Sequence, residues 1–195
     1  GLLRRLETLG VPVVCGINGP ALGGGFEIAL ACHHRLALKG VAVGLPEAQI
    51  GLMPGADGIV RTVRYVGMQE AIALISTGKR LKADAAVEKG LIDELFDSED
   101  DMQAAAKAWI KANPEASQPW DREGFKIPGG EPSDKDDQGV QGLMFFGPAN
   151  VMAQTKGLMP AQQAIFATVV FVLFLLKNHL EKFLELQLMG TLEEA

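Results

Sequence analysis

The chain is poor in cysteine: only Cys15 and Cys32 occur in 195 residues, both among apolar neighbours and not in a CxxC spacing. They read as small buried hydrophobes of a reducing compartment and not as a disulfide. An excess of basic charge is also lacking, since 18 Lys and Arg stand against 24 Asp and Glu, for a formal net charge of -6. No basic face is offered to nucleic acid or to an anionic membrane, so neither is expected as a partner. The longest apolar run, 164–176 (AIFATVVFVLFLL), is too short for the roughly 18 to 20 residues a bilayer requires and reads as a buried helix. The first ten residues, GLLRRLETLG, lack a long apolar signal core and do not begin with Met. They suggest a processed, cloned or trimmed start, with the cytoplasm as the default location. There is no GxGxxG, and no lysine follows the glycine cluster as in a P-loop, so phosphate or dinucleotide cradling is disfavoured.

What is present is the composition of a globular domain, 48% hydrophobic and 22% charged, with 23 glycines and no internal repeat. Its length suits one large domain, or one domain with an appendage. The run 11–17 (VPVVCGI) predicts a buried strand, and 18–25 (NGPALGGG) a loop that no regular element can enter. A helix is expected from Gly25, with Phe26, Ala29, Leu30 and His33 on one face, followed by a strand over RLAL. The stretch VAVGLPE predicts a short strand stopped by Pro46, and AQIGLMPGADG a second loop.

Further helices are expected over 58–67 with Asp57 as their cap, over 68–77 ending at Gly78, and briefly before Gly90. LIDELF then reads as a short strand or edge segment. The clearest amphipathic helix begins after Ser98, with acids in its first turn, lysines late and Pro114 beyond its end. Residues 114–147 are rich in Pro, Gly and charge and read as a linker; 148–195 read as a helical tail. The alternation of strand, glycine loop, helix and strand is an α/β arrangement over residues 1–113.

The chemistry concentrates at Gly23, Gly24, Gly25 and Glu27. Consecutive glycines let backbone N–H groups approach a ligand, and the following helix adds its unsatisfied amides and positive dipole end. Such a site suits a negative charge that develops on an oxygen during reaction, although a tight turn for close strand–helix packing explains the glycines equally well. Glu27 and Glu47 are each flanked by hydrophobes, so partial desolvation could raise either carboxyl toward the range of proton transfer. Taken alone, Glu27 could merely compensate a helix dipole and Glu47 an exposed strand end. His33 and His34, being adjacent, would point to different faces of a helix and cannot serve one metal, so no metal site is expected. Trp109 and Trp120 read as packing anchors.

Three long segments taken together, PVVCGINGPALGGGFEIALACHHRLA, GLPEAQIGLMPGADGIVRTVRYVG and ALISTGKRLKADAAVEKGLIDEL, resemble the crotonase superfamily, the enoyl-CoA hydratase/isomerase fold. The resemblance runs from residue 10 to about 112, and PWDREGFKIPGG and GLMPAQQAI are similar to the segment that follows the hydratase region in multifunctional bacterial fatty-acid β-oxidation enzymes. It implies a crotonase-like ββα spiral whose first third precedes this chain, followed by an all-helical C-terminal tail. It implies that Glu27 holds and deprotonates the water attacking C3 of an enoyl-CoA thioester, and that Glu47 delivers a proton to C2. The Gly24 N–H would stabilise the enolate oxygen, and Gly23, Pro46, Leu52, Pro54, Gly55 and Asp57 would border the substrate pocket. Lys79, Arg80 and Lys82 could meet CoA phosphates, or form a solvated basic turn.

The implied function is enoyl-CoA hydration in fatty-acid β-oxidation, with Δ3,Δ2-enoyl-CoA isomerisation as an accompanying activity. No cofactor is implied within the chain; CoA enters as part of the substrate, and NAD only if a dehydrogenase domain follows. The implied partners are an acyl-CoA, further copies of the chain or a thiolase subunit. Two departures stand out: the family's second oxyanion donor comes from a segment ahead of residue 1, and PGADG replaces a glycine run followed by TQR, with Arg61 keeping the arginine position. A catalytically incomplete fragment serving oligomerisation or docking through its apolar tail is the competing expectation, and another crotonase chemistry a third.

Overall fold

A computed structural model describes residues 1–130, 138–155 and 160–171. Its chain order is α1 (Leu2–Glu7), β1 (Val14–Ile17), β2 (Ala21–Leu22), α2 (Gly24–Leu30), β3 (His34–Leu38) and β4 (Ala42–Gly44), then a 3-10 turn at Pro46–Ile50. There follow α3 (Gly58–Val66), α4 (Met68–Thr77), β5 (Leu81–Lys82), α5 (Ala83–Glu88), β6 (Glu94–Phe96) and α6 (Glu99–Ala112), a 3-10 turn at Pro119–Asp121, and α7 (Gln138–Thr155). Residues 160–171 form a last described helix, α8.

Two three-stranded sheets organise these elements, in the orders β1-β3-β6 and β2-β4-β5. The first is parallel throughout, with Val14 opposite His34 and Leu36 opposite Glu94, so each connection must cross over, and α2 is the first crossover. In the second, β2 pairs parallel with β4 and β4 antiparallel with β5. Phe26, Leu30, Ala37, Val43, Val63 and Ile75 are buried between sheets and helices in one apolar core.

Arg35, 3% exposed on β3, ties this core together. Its guanidinium donates to Leu91 O at 3.0 Å, to Cys32 O at 3.1 Å and to Asp93 Oδ1 at 3.0 Å, and lies 4.3 Å from the centre of the Tyr65 ring. Burial pushes the Tyr65 hydroxyl up to about 12.

Several expectations hold at the level of elements. Ser98 caps α6 by accepting from Asp101 N at 3.1 Å, and α4 ends at Gly78 in the left-handed conformation. Cys15 and Cys32 are both free thiols. Trp109 stacks on His34 with ring centres 4.5 Å apart, and Trp120 meets Tyr65 edge-on at 5.1 Å.

Other expectations are corrected. Only Val14–Ile17 of the 11–17 run is paired as strand, and α1 carries no sequence signature strong enough to be expected. Within the stretch expected to be wholly loop, Ala21 and Leu22 pair with Val43 and Gly44, because a two-residue parallel ladder needs no periodicity of its own. His33 is not on the α2 face: the helix ends at Leu30, and His33 lies before β3, its ring Nδ1 accepting from Val13 N at 2.9 Å. The loop after Pro46 contains a 3-10 turn, so Glu47 sits at the start of a turn and not at a strand end. α7 begins inside the stretch read as linker and runs through Pro148; burial of Val140 and Val151 outweighs the weak helix propensity of its glycines and proline. Residues 172–176 of the 164–176 apolar run lie outside the described residues. No helix among the described residues is long and apolar enough to cross a membrane.

Candidate active site

The glycine loop joins β2 to α2, and its conformation is set at Gly23, where φ is +57° and ψ is -131°, a backbone that glycine tolerates and other residues strain to adopt. Gly23 N–H donates to Gly44 O at 2.9 Å, fastening the loop to β4, and Gly23 O accepts from Phe26 N at 2.9 Å and Glu27 N at 3.0 Å. The first two amides of α2, on Gly24 and Gly25, therefore precede the first helical hydrogen bonds, and both residues are exposed.

Glu27 is two residues further into α2 and only 3% exposed. A buried carboxylate must be compensated by hydrogen bonds. Glu27 Oε1 accepts from Ala56 N at 2.7 Å and from Gly58 N at 2.8 Å, across the start of α3. These are charge-assisted bonds at the positive end of a helix, so Glu27 supplies the cap of α3. This corrects the expectation for Asp57: it occupies the capping position, but at φ +66° its side chain makes no capping bond and the Gly58 amide is already taken. The second oxygen, Oε2, faces the loop, 4.0 Å from where a Cβ on Gly24 would stand.

Glu47 meets the same loop at Gly23. Its Oε1 is 3.0 Å from the position of a Cβ on Gly23, and its Oε2 is buried and has no hydrogen-bond partner. Desolvation, with a further contribution from the Glu27 charge, holds the Glu47 carboxyl above its ordinary range. Both glutamates thus reach the Gly23–Gly24 turn, one bound through an oxygen to two amides and one left with a bare oxygen.

The remaining sequence-derived residues are distributed unevenly. Pro46 is half-buried and opens the 3-10 turn that carries Glu47, and Pro54, in the loop after that turn, is buried. Leu52, Gly55 and Asp57 are exposed, Leu52 to 57%. Lys79, Arg80 and Lys82 are exposed around β5 and form no ion pair among the described residues. A cavity of about 590 Å³ lies between α7 and α8, lined by residues such as Met144, Val151 and Phe166, and neither glutamate reaches it. Among the described residues no group of three or more His, Cys, Asp or Glu is arranged to hold a metal ion.

Two further residues join the site: Arg61, which the sequence marked only as keeping the family's arginine position, and Glu7, which it did not mark at all. Arg61, 2% exposed on α3, donates from Nη1 to Ala56 O at 2.8 Å and from Nε to Glu7 Oε1 at 2.7 Å. Glu7, at the end of α1 and 4% exposed, also accepts from Arg4 Nη1 at 3.0 Å. Nothing local in GLLRRLETLG marks Glu7, because its principal partner is 54 positions away.

With this geometry described, comparison with known proteins gives the class. Residues 1–119 match the enoyl-CoA hydratase/isomerase family, and the chain belongs to that family, with its crotonase-like α/β fold. The chain is 40% identical over 120 residues to a fatty acid oxidation complex subunit alpha of Idiomarina loihiensis, covering 60% of this chain and 17% of that protein. It is 44% identical over 111 residues to the protein of the same description from a Psychrobacter species, covering 57% of this chain and 15% of that one. The chain therefore spans only about a sixth of the length of these curated relatives. The crystal structure of an enoyl-CoA hydratase from Bacillus anthracis superposes with a TM-score of 0.54 at 36% identity, over 56% of this chain and 42% of that one.

Proposed function

We propose that this protein hydrates 2-trans-enoyl-CoA thioesters to 3-hydroxyacyl-CoA, by syn addition of water, as a step of fatty-acid β-oxidation. The observation that carries the reading is the pair of carboxylates that both reach one glycine turn: Glu27 with one oxygen fixed by Ala56 and Gly58 amides, Glu47 with a raised pKa and a bare buried oxygen. A carboxyl held above its ordinary range binds its proton more tightly than a free one and suits the acid, here protonation of C2 by Glu47. A carboxylate oriented through one oxygen leaves the other to hold and deprotonate water for attack at C3, the role given to Glu27. The Gly24 N–H, at the positive end of α2, is the donor for the thioester enolate oxygen. Gly23, Pro46, Leu52, Pro54, Gly55 and Asp57 border the substrate in this reading.

The same hole and one glutamate would also serve Δ3,Δ2-enoyl-CoA isomerisation, in which a proton is moved between C2 and C4. CoA takes part as the carrier of the acyl group, the chain itself uses no cofactor, and NAD enters only with a separate dehydrogenase domain. Because the curated relatives are described as subunits of a fatty acid oxidation complex, assembly with a thiolase subunit, or with further copies of this chain, in the cytoplasm belongs to the proposal.

Crotonyl-CoA hydration decides it. Glu47→Gln and Glu27→Gln are each expected to lower kcat by about 10²-fold or more, since proton transfer and positioning each contribute on that scale. Hydration by Glu47→Gln at the wild-type rate would refute the assignment.

One observation favours a second reading, a docking module: Phe145, Phe146, Met152 and Phe171 on the two tail helices are each 60% or more exposed. Turnover and molar mass measured on one sample separate the two, since an active monomer excludes the docking module.

A further inference from the structure

We infer that Glu7 and Arg61 are positioning residues for the Glu27 carboxylate, an inference that rests on the role proposed above for Glu27. The turn that precedes α3 has no regular structure, and Asp57 is its strained point, the one non-glycine residue with positive φ among the described residues. Something must hold this turn so that the N–H groups of Ala56 and Gly58, on either side of Asp57 in the chain, converge on one oxygen of Glu27.

Arg61 does so from behind. Ala56 is gripped at both ends, its N–H donating to Glu27 at 2.7 Å and its carbonyl accepting from Arg61 Nη1 at 2.8 Å. The Arg61 guanidinium is itself oriented by Glu7, through Nε to Oε1 at 2.7 Å, with side-chain exposures of 3% and 1%. A buried ion pair adds little to stability over an apolar pair of similar volume, because desolvation offsets the Coulombic gain. What it adds here is direction: the planar guanidinium has donors at fixed angles, and two of them fix the Ala56 carbonyl relative to Glu7. The path from Glu7 through Arg61 and Ala56 to Glu27 thus sets where the free oxygen Oε2 points, on α2 beside the Gly24 amide.

The test compares Arg61→Lys, which keeps the charge but not the fork, and Glu7→Gln, which keeps the shape but not the charge, with wild type and Glu27→Gln. Each protein is assayed for crotonyl-CoA hydration with kcat and KM separated, and for amide hydrogen exchange. Arg61→Lys and Glu7→Gln are expected to lower kcat by about tenfold or more with KM within about twofold, as small misplacements of a reacting group do. The Ala56 and Gly58 amides should exchange faster while those of Leu36 and Ala37 on β3 do not. Unchanged kcat in a folded variant, or faster exchange spread evenly over the β3 amides, overturns the inference. If Arg61→Lys does not fold, Glu7→Gln decides alone. Wild-type hydration by Glu27→Gln would instead overturn the role of Glu27, and exchange at Ala56 and Gly58 would still decide whether the pair holds the turn.

Discussion

Gly58 and Glu27 are so closely apposed that a Cβ added to Gly58 would stand 2.7 Å from Glu27 Oε1 and 2.8 Å from its Cγ. The first residue of α3 is therefore a glycine because the carboxylate that caps the helix occupies the space a side chain would need. Alanine would ordinarily favour a helical position by about 1 kcal/mol. At this position Gly58→Ala is expected to destabilise the protein by ~1–3 kcal/mol, because Glu27 is pinned by two amides and can move only by breaking those bonds. Urea denaturation checks this, and a stabilised variant would mean that Glu27 is not fixed there.

The raised Glu47 pKa makes a pH prediction of definite sign. A carboxyl that binds its proton more tightly when folded than when unfolded loses stability as pH rises from the ordinary glutamate value of 4.5 through the folded one. Ionised Glu47 is thus a burden at pH 7, and Glu47→Gln should be the more stable protein there. The gap in urea midpoint should close as the pH is brought below 4.5. A variant less stable than wild type at pH 7 would count against the desolvated, unpartnered oxygen.

Arg35 should matter more to the fold than any surface charge. Arg35→Met leaves Leu91 O and Cys32 O without their donor and removes the guanidinium from Asp93, whose Oδ2 keeps the backbone N–H of residue 35 at 2.7 Å. Leaving buried carbonyls without their donor costs ~1–3 kcal/mol each, so the urea midpoint should fall sharply. A change comparable to that of Lys39→Met, whose exposed pair with Asp97 is worth little, would show that the network is dispensable.

The parts of the fold legible in the sequence were those whose signals are local. Ser98 with three acids behind it, and Gly78 after an apolar stripe, mark helix ends through bonds formed within four residues. The glycine loop and the two carboxylates were legible as residue types suited to one chemistry. α1, the two-residue β2 and the start of α7 were not, because each is stabilised by what packs on it and not by its own pattern. Asp57 misled for the same reason: it has the residue type and place of a cap, but a carboxylate from 30 positions earlier in the chain took the amide.

The sequence by itself determined the family, the strand–loop–helix order and the candidate pair of Glu27 and Glu47, since long ordered motifs and local turn chemistry need no knowledge of distant contacts. Only the tertiary structure decided that Glu27 caps α3, that Glu47 keeps a bare buried oxygen against Gly23, and that Glu7 reaches Arg61 across 54 positions. Those are consequences of burial, which raises the cost of every unpaired charge and so dictates which distant groups must meet.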